Sequence, residues 1–272
     1  MDVILDFILV FLSIIMLWKG ADWLVDSAAE IAHSLKVSDL IIGLTVVAFG
    51  TSAPEFAVTI SAAVTKQTDI SIGNVIGSNI FNLGFILGGT AIIRPISTNK
   101  KMFNRDGLFL LIVTALIFFL FFGFDGWTSD DNYTRIEGFI LFSLLIGYIT
   151  FLFIKKDPPE EISPDKATIM SYVFFFIGLI LIVLGGHLMV THASNIARFY
   201  GISDWVIAVT IVAAGTSAPE FATSIAAAIK GRHGIAIGNL IGSDLFNLLG
   251  VLGLAGIINP SVITQDIFDS VF

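Results

Sequence analysis

Eight runs of about 20 mostly apolar residues follow one another along the 272-residue chain, and a helix of that length crosses the hydrocarbon core of a bilayer. The composition agrees, since 56% of the residues are hydrophobic and 13% are charged. The sequence therefore predicts an all-α membrane protein. The predicted spans lie near residues 3–18 with an amphipathic extension to about 35, 40–64, 70–93, 107–124, 136–154, 169–191, 205–229 and 235–258.

The same composition excludes several function classes. Soluble domains are roughly 25% charged, so this chain has too few polar residues for a soluble enzyme. The net charge of −8 argues against a nucleic-acid partner, because phosphate binding needs a basic face. The chain has no cysteine, so any bound metal ion must be held by oxygen atoms or by histidine. The lipid bilayer is the one partner that the composition requires.

The distribution of Lys and Arg predicts how the chain is oriented. If the eight spans alternate in direction, ten basic residues fall on one side and three on the other, with Lys19 inside a span. Cytoplasmic loops carry the excess of basic residues, which places the N-terminus outside a multi-pass protein of the cell membrane. The ten predicted cytoplasmic residues are Lys36, Arg94, Lys100, Lys101, Arg105, Lys155, Lys156, Lys166, Lys230 and Arg232.

The chain contains an internal duplication at an offset of 165 residues. Residues 48–88 align with residues 213–253 without a gap, and 24 of the 41 pairs are identical. The duplicated blocks are Gly-Thr-Ser-Ala-Pro-Glu-Phe-Ala at 50–57 and 215–222, and a Gly-Asn-x-Ile-Gly-Ser block at 73–78 and 238–243. A fixed offset of this kind indicates two copies of one structural unit.

An odd number of spans separates the two copies, which predicts that they are inverted. Residues 1–154 form the first repeat with five spans, 155–167 a charged, proline-rich cytoplasmic linker, and 168–272 a second repeat with three. Inverted repeats are a recurring plan of secondary transporters. The predicted fold class is an inverted-repeat secondary transporter with eight spans of an expected ten, which suggests a chain cut short at the start of its ninth span.

Glu55 and Glu220 lie inside apolar helices, where an ionised carboxylate costs about 3 kcal/mol on insertion scales. No Lys or Arg lies within the same helical segments, so protons, bound cations or both must neutralise them. Pro54 and Pro219 precede the glutamates and interrupt the helical hydrogen bonds there. A broken helix that offers hydroxyl, carbonyl and carboxylate oxygens suits a hard cation such as Ca²⁺, which takes six to eight oxygens.

The second block adds neutral oxygens on the neighbouring span. Ser78 and Asn82 are four residues apart and share a helix face, as do Ser243 and Asn247. We expect these side chains to lie opposite the glutamates. The glycines of the block are spaced for close helix packing, and that structural role is an equal alternative to a functional one for the glycines themselves.

The twin blocks resemble the alpha-repeats of the sodium/calcium exchangers, within the calcium/cation antiporter superfamily, and most resemble the prokaryotic members. The resemblance covers essentially the whole chain. It implies that Ca²⁺ is held by the two glutamates and by nearby backbone carbonyls, and that Na⁺ sites share these groups and add serines. Carried over residue by residue, the implied ion-binding residues are Glu55, Glu220, Thr51, Thr216, Ser52, Ser217, Ser78, Ser243, Asn82, Asn247 and the backbone of Ala48 and Ala213.

The chain departs from the family pattern at its central polar pair. Some members have an aspartate where this chain has Asn247, whereas here the carboxylate is Asp244, whose counterpart in the first repeat is Asn79. Asp244 is either a third charge of the ion pocket or a residue at a hydrated helix edge. The absence of carboxylates at positions 82 and 247 argues against potassium co-transport.

The resemblance implies a sodium/calcium antiporter that exports Ca²⁺ in exchange for Na⁺ by alternating access, without enzyme chemistry or an organic cofactor. A monomer is expected to suffice. A proton/calcium antiporter would use the same glutamates and is the main alternative. A cation channel fits an inverted duplication poorly, because a pore needs rings of ligands from several subunits. A membrane-embedded hydrolase is the remaining rival, but acid and base groups rarely occur as near-identical copies.

Overall fold

The computed structural model describes residues 3–98, 100–122, 132–157, 167–207, 210–211 and 213–262, and nearly all of them are helical. The α-helices are α1 Val3–Leu35, α2 Asp39–Ile42, α3 Ala48–Thr51, α4 Ala53–Val64, α5 Thr68–Phe81, α6 Gly88–Ile93, α7 Lys100–Met102, α8 Leu108–Phe122, α9 Arg135–Lys155, α10 Ile169–Phe199, α11 Asp204–Ile207, α12 Ala213–Thr216, α13 Ala218–Ile229, α14 His233–Leu245 and α15 Leu252–Ile258. Short π-helical turns continue α2 into α3, α5 into α6, α7 into α8 and α14 into α15; they are Gly43–Val47, Asn82–Leu87, Phe103–Gly107 and Phe246–Val251.

Six continuous helices in the described part of the chain are long and apolar enough to cross a membrane. A seventh candidate is the pair Asp39–Thr51 and Ala53–Val64, which bends by 50° at Ser52. The bend lies where Pro54 predicts a broken helix, because Pro54 occupies the first turn of α4. The predicted span 205–229 includes residues 208, 209 and 212, which lie outside the described residues, and around them the chain forms α11, α12 and α13.

The first helices of the two repeats, α1 and α10, cross in antiparallel directions at a seam of small residues. A Cβ added to Gly20 would lie 2.8 Å from the Gly178 carbonyl oxygen, and one added to Gly185 would lie 3.1 Å from the Ser13 carbonyl oxygen. Gly178 and Gly185 are the repeat counterparts of Ser13 and Gly20. The crossing is thus reciprocal, and its antiparallel direction confirms that the two repeats are inverted.

The two repeats differ in how their half-helices pack. In α14, a Cβ added to Gly238 would lie 2.7 Å from the Leu40 carbonyl oxygen, and one added to Gly242 would lie 2.6 Å from the Ala48 Cβ. The first-repeat half-helix α2–α3 is therefore seated tightly on α14. The counterparts Gly73 and Gly77 on α5 are exposed, and no described atom lies within 4 Å of a Cβ added there.

A short antiparallel ladder joins the segment before α9 to the segment after α15. It consists of β1 Asn132–Tyr133 and β2 Ser261–Val262. The Tyr133 hydroxyl donates a hydrogen bond of 3.0 Å to the Leu252 carbonyl oxygen. These contacts hold α9 against α15, where Gly138 and Gly253 let the two backbones approach closely.

Candidate cation-binding site

The two duplicated glutamates lie in the first turns of α4 and α13, directly after the helix breaks. Both side chains are buried, with 1% of the surface of each residue exposed. Among the described residues, neither glutamate has a salt-bridge partner. Their carboxylates are therefore held by neutral groups, in an apolar surrounding where an uncompensated charge is costly.

Each glutamate accepts hydrogen bonds from one serine of its own repeat and one serine of the other. Ser78 and Ser217 donate to Glu55 Oε1 over 3.4 and 3.3 Å. In the second repeat, Glu220 Oε1 accepts from the hydroxyls at positions 243 and 52 over 3.3 and 3.2 Å. This exchange of serines brings both helix breaks into one site.

The second carboxylate oxygen of each glutamate has no hydrogen-bond partner among the described residues, although both oxygens are buried. Buried polar atoms are almost always paired, so such an atom needs an explanation. A cation between the two helix breaks would supply the missing interaction, because carboxylate, hydroxyl and carbonyl oxygens are the ligands that hard cations take. The residues present thus fit an ion substrate.

A side-chain amide binds the backbone carbonyl oxygen of each glutamate and a hydroxyl on the same helix. Asn239 Nδ2 donates to the Glu220 carbonyl oxygen over 3.4 Å and to Ser224 Oγ over 3.1 Å. The counterpart Asn74 donates to the Glu55 carbonyl oxygen over 3.5 Å and to Thr59 Oγ1 over 3.0 Å. The candidate residues from the sequence do not include these asparagines. Their identity at the repeat offset, in the Gly-Asn pairs at 73–74 and 238–239, is the sequence signal for them.

Thr51 and Thr216 occupy different environments. Thr51 is fully buried, and its hydroxyl donates to Asn239 Oδ1 over 2.9 Å and lies 3.3 Å from Ser243 Oγ. Thr216 is half-buried at the end of α12. This difference follows from the tight seat of α2–α3 on α14, since the Thr51 contacts cross that seam.

The two alanines contribute backbone only. The Ala48 carbonyl oxygen accepts from the Ser52 amide over 3.0 Å and from the Thr51 hydroxyl over 3.3 Å. Ala213 is the first residue of α12, and its side chain lies outside the described part of the structure.

The asparagine pair makes hydrogen bonds between the two repeats. Asn82 Nδ2 donates to Asp244 Oδ1 over 2.9 Å, and Asn247 Nδ2 donates to Asn79 Oδ1 over 3.0 Å. Both amide oxygens at positions 82 and 247 are buried without a hydrogen-bond partner in the described residues. The amide nitrogens thus form a second, reciprocal set of contacts between the two repeats.

Asp244 is fully buried, so the alternative of a hydrated helix edge is wrong. Its Oδ1 accepts from Asn82, its backbone oxygen accepts from Asn79 over 3.2 Å, and its Oδ2 has no described hydrogen-bond partner. Within the described ranges, no three His, Cys, Asp or Glu side chains group closely enough to hold one metal ion. Asp244 is therefore a third buried carboxylate, held by the two asparagines of the first repeat.

Comparisons with known proteins agree with this geometry. The family model described as "Sodium/calcium exchanger protein" matches residues 5–154 and 170–272. The sodium/calcium exchanger MaX1 of Methanosarcina acetivorans is 33% identical over 298 residues, covering 96% of this chain and 85% of the relative. The inner membrane protein YrbG of Escherichia coli is 30% identical over 268 residues, covering 94% of this chain and 80% of that protein.

A solved structure has the same fold. The sodium-calcium exchanger NCX_Mj, soaked with 10 mM Na⁺ and zero Ca²⁺, aligns with a TM-score of 0.83 and 36% sequence identity. The alignment covers 98% of this chain and 87% of the other.

Proposed function

This chain belongs to the sodium/calcium exchanger protein family, and from that premise we propose that it exchanges Na⁺ for Ca²⁺ across the cell membrane by alternating access. The observation that carries the proposal is the pair of buried glutamates, each with one unpaired carboxylate oxygen, joined by serines exchanged between two inverted repeats. An inverted pair of this kind suits a transporter whose site opens alternately to the two sides.

Calcium is proposed to bind between the two helix breaks. Two ionised glutamates offer two negative charges against the two positive charges of Ca²⁺, and the backbone carbonyls of Thr51 and Thr216 add neutral ligands. Ca²⁺ takes six to eight oxygens at about 2.3–2.6 Å, which one broken helix alone cannot supply. The requirement for both repeats explains why the motif occurs twice.

Sodium is proposed to compete for the same carboxylates while using further neutral oxygens. These oxygens come from Ser52, Ser217, Ser78, Ser243, Asn82, Asn247 and the backbone of Ala48 and Ala213. Asp244 adds a third buried charge, which a set of several Na⁺ ions can neutralise and a single Ca²⁺ bound by the glutamates cannot. Occupancy by either cargo lowers the charge that must cross the apolar interior, whereas an empty pocket resists that passage.

The two glycine seams suggest how alternating access works. The seam at Gly238 and Gly242 is filled by α2–α3. Residues 208 and 209, the counterparts of two residues that fill it, lie outside the described residues, so the seam at Gly73 and Gly77 is described only in part. With the N-terminus outside, the first seam lies in the cytoplasmic half and the second in the outer half, and the half-helices of the two repeats close on them in turn.

The orientation can be tested directly because the chain has no cysteine. Single variants Lys66→Cys and Lys36→Cys place one reactive thiol at each end of the predicted topology. In intact cells, a membrane-impermeant maleimide is expected to label position 66 and to leave position 36 unlabelled until the cells are opened. The reverse pattern would put the N-terminus inside and would remove the basis for calcium export.

Transport is tested by measuring calcium uptake into proteoliposomes that contain sodium, that contain potassium, or that carry a pH gradient. We expect uptake only with internal sodium, and we expect Glu55→Gln and Glu220→Gln to reduce it to the level of empty liposomes. Uptake driven by a pH gradient without sodium would select proton coupling. A current that continues without counter-ion, and does not saturate, would identify a channel.

We propose that the two halves of the chain move relative to each other during transport. Residues 1–154 and 168–272 act as the two moving repeats, and 155–167 as a cytoplasmic linker. Both glutamates and all four serines that donate to them come from one chain, which supports a monomer as a sufficient transport unit.

A further inference from the structure

An apolar groove lies on the outer face of the helix pair α8 and α9, away from the glutamate site. It has a volume of about 660 Å³. Its wall is formed mainly by aromatic and aliphatic side chains together with the backbone at Gly147, and the residues that matter here are Phe109, Phe139, Leu144, Gly147 and Phe151. A groove of this composition accepts an acyl chain and offers few groups to a water-soluble ligand.

A basic pocket adjoins the groove, and Arg105 lines both spaces. The pocket has a volume of about 310 Å³ and is lined by Lys100, Lys101, Asn104, Arg105 and Lys155. An apolar channel that ends in a cluster of cations matches the two chemical parts of a phospholipid, which are its tails and its anionic headgroup.

Two acidic residues, Asp106 and Asp157, form ion pairs with cations of this pocket. Arg105 is 2.7 Å from Asp106 and 2.5 Å from Asp157, and Lys101 pairs with Asp157 as well. The Tyr148 hydroxyl donates to Asp106 over 2.8 Å, which locks the arrangement against α9. Arg105 is therefore held in place, and its charge is largely compensated.

The rim of the pocket carries the excess positive charge. Lys100 and Lys155 are exposed, and neither has an acidic partner in the described part of the chain. The Lys155 ammonium lies 5.1 Å from the centre of the Phe151 ring, which lines the groove. Among the described residues, four cations and two carboxylates line or adjoin the pocket, which is a surplus of two positive charges beside an apolar groove.

We propose that this groove and pocket form a binding site for an anionic phospholipid, with the phosphate between Lys100 and Lys155 and an acyl chain along α8 and α9. The surplus charge selects an anionic headgroup over a zwitterionic one, and the groove selects a lipid over a free anion. Gly147 lines the groove, and its missing side chain leaves open space in the groove wall.

The test compares lipids retained by purified protein after reconstitution in mixed phosphatidylglycerol and phosphatidylcholine. We expect the wild-type protein to enrich phosphatidylglycerol over the bulk ratio. The variant Lys100→Gln/Lys155→Gln should lower that enrichment about fivefold for each charge removed. The control Lys36→Gln/Lys66→Gln removes the same charge from exposed lysines elsewhere and should retain the enrichment.

The groove is tested separately with two variants. Gly147→Leu fills the groove, whereas Gly147→Ala adds only one methyl group. A Cβ at this position meets no described atom within 4 Å, so both variants should fold. Gly147→Leu should lose phosphatidylglycerol and Gly147→Ala should keep it. Equal retention by the wild type and the double lysine variant would overturn the proposal, as would equal enrichment of phosphatidylcholine, displacement of the lipid by excess inorganic phosphate, or full retention by Gly147→Leu.

Discussion

The hydroxyl of Ser52 lies 3.2 Å from Glu220 Oε1, although the two residues are 168 positions apart and belong to different repeats. The reciprocal contact joins Ser217 to Glu55 over 3.3 Å. Each repeat thus supplies a hydrogen-bond donor to the glutamate of the other repeat. A substitution of that serine in one repeat therefore acts directly on the carboxylate of the other.

Removing either exchanged hydroxyl should weaken cation binding without unfolding the protein. A hydrogen bond to a charged group is worth about 1.5 kcal/mol or more, so Ser52→Ala and Ser217→Ala should each raise the calcium Kd about tenfold. Isothermal titration with Ca²⁺ measures this. Ser61→Ala removes an exposed hydroxyl from the same helix as Glu55 and should leave the Kd unchanged. An unaltered calcium Kd in both exchanged-serine variants would argue against a role for these hydrogen bonds in holding the carboxylates for calcium.

Replacing either glutamate by glutamine should affect the stability of the protein and its calcium binding in different ways. Glu55→Gln and Glu220→Gln remove a buried charge while keeping its shape, so the Tm without cations should rise or stay constant. Ca²⁺ stabilises wild-type protein by mass action, and that increase in Tm should disappear in both variants. Glu137→Gln is the matched control, because Gln also serves in the capping box at Thr134. A calcium-dependent increase in Tm that survives in either variant contradicts the assignment.

The two glycine seams should respond differently to the same substitution. Gly238→Leu places a side chain against the Leu40 backbone and should lower the Tm by several degrees, as overpacking typically costs about 1–3 kcal/mol. Gly73→Leu meets no described atom and should keep the Tm and the calcium Kd, yet reduce exchange more than tenfold by blocking closure of the outer half. Normal exchange by Gly73→Leu would show that no half-helix closes on this face.

Asp244 should affect sodium more than calcium, because we propose that several Na⁺ ions neutralise its charge whereas a single Ca²⁺ is neutralised by the two glutamates. We expect Asp244→Asn to leave the calcium Kd within about threefold, a change below 1 kcal/mol, and to lower the apparent sodium affinity in exchange assays. The swap Asn79→Asp/Asp244→Asn moves the carboxylate to the mirrored position, where Asn247 donates as Asn82 does now. The swap should restore much of the sodium response. A calcium Kd that collapses in Asp244→Asn would instead place this carboxylate in the calcium site.

The ion pairs of Asp157 with Lys101 and Arg105 should make the stability of the protein depend on pH. Burial raises the pKa of Asp157, but hydrogen bonds from Lys101 and Arg105 and their charges outweigh burial and hold the pKa below its ordinary value of 3.8. The contribution of the ionised form is therefore present above pH 3.8 and is lost as the pH falls through the lowered pKa.

This dependence can be measured as the difference in Tm between wild type and Asp157→Asn. The difference should be constant near neutral pH and should shrink below about pH 4. Asp26→Asn removes an acidic partner of Lys230 that is 60% exposed, and its effect on the Tm should be small at every pH. A difference for Asp157→Asn that grows on acidification would contradict the lowered pKa.

Much of the architecture could be read from periodicity and duplication. Apolar runs long enough to span a bilayer predict helices because the backbone must satisfy its own hydrogen bonds in lipid. The offset of 165 residues and the odd number of intervening spans predict the inversion that the antiparallel crossing at Gly20 and Gly178 displays. The prolines before Glu55 and Glu220 predict the helix breaks, since their rings exclude a continuous helix.

The partners within the site could not be predicted in the same way. Ser52 and Ser78 are equivalent hydroxyls in the sequence, and only the packing of the repeats shows that Ser78 serves its own glutamate while Ser52 serves the opposite one. Likewise, the burial of Asp244 depends on helices from both halves closing around it.

Local sequence therefore determined the helices, their breaks and the chemistry of the two duplicated blocks, because these depend on the backbone and on neighbouring residues in the chain. The tertiary structure alone decided which hydroxyl faces which carboxylate. That outcome depends on contacts between segments that are distant in the chain, which local sequence preferences do not specify.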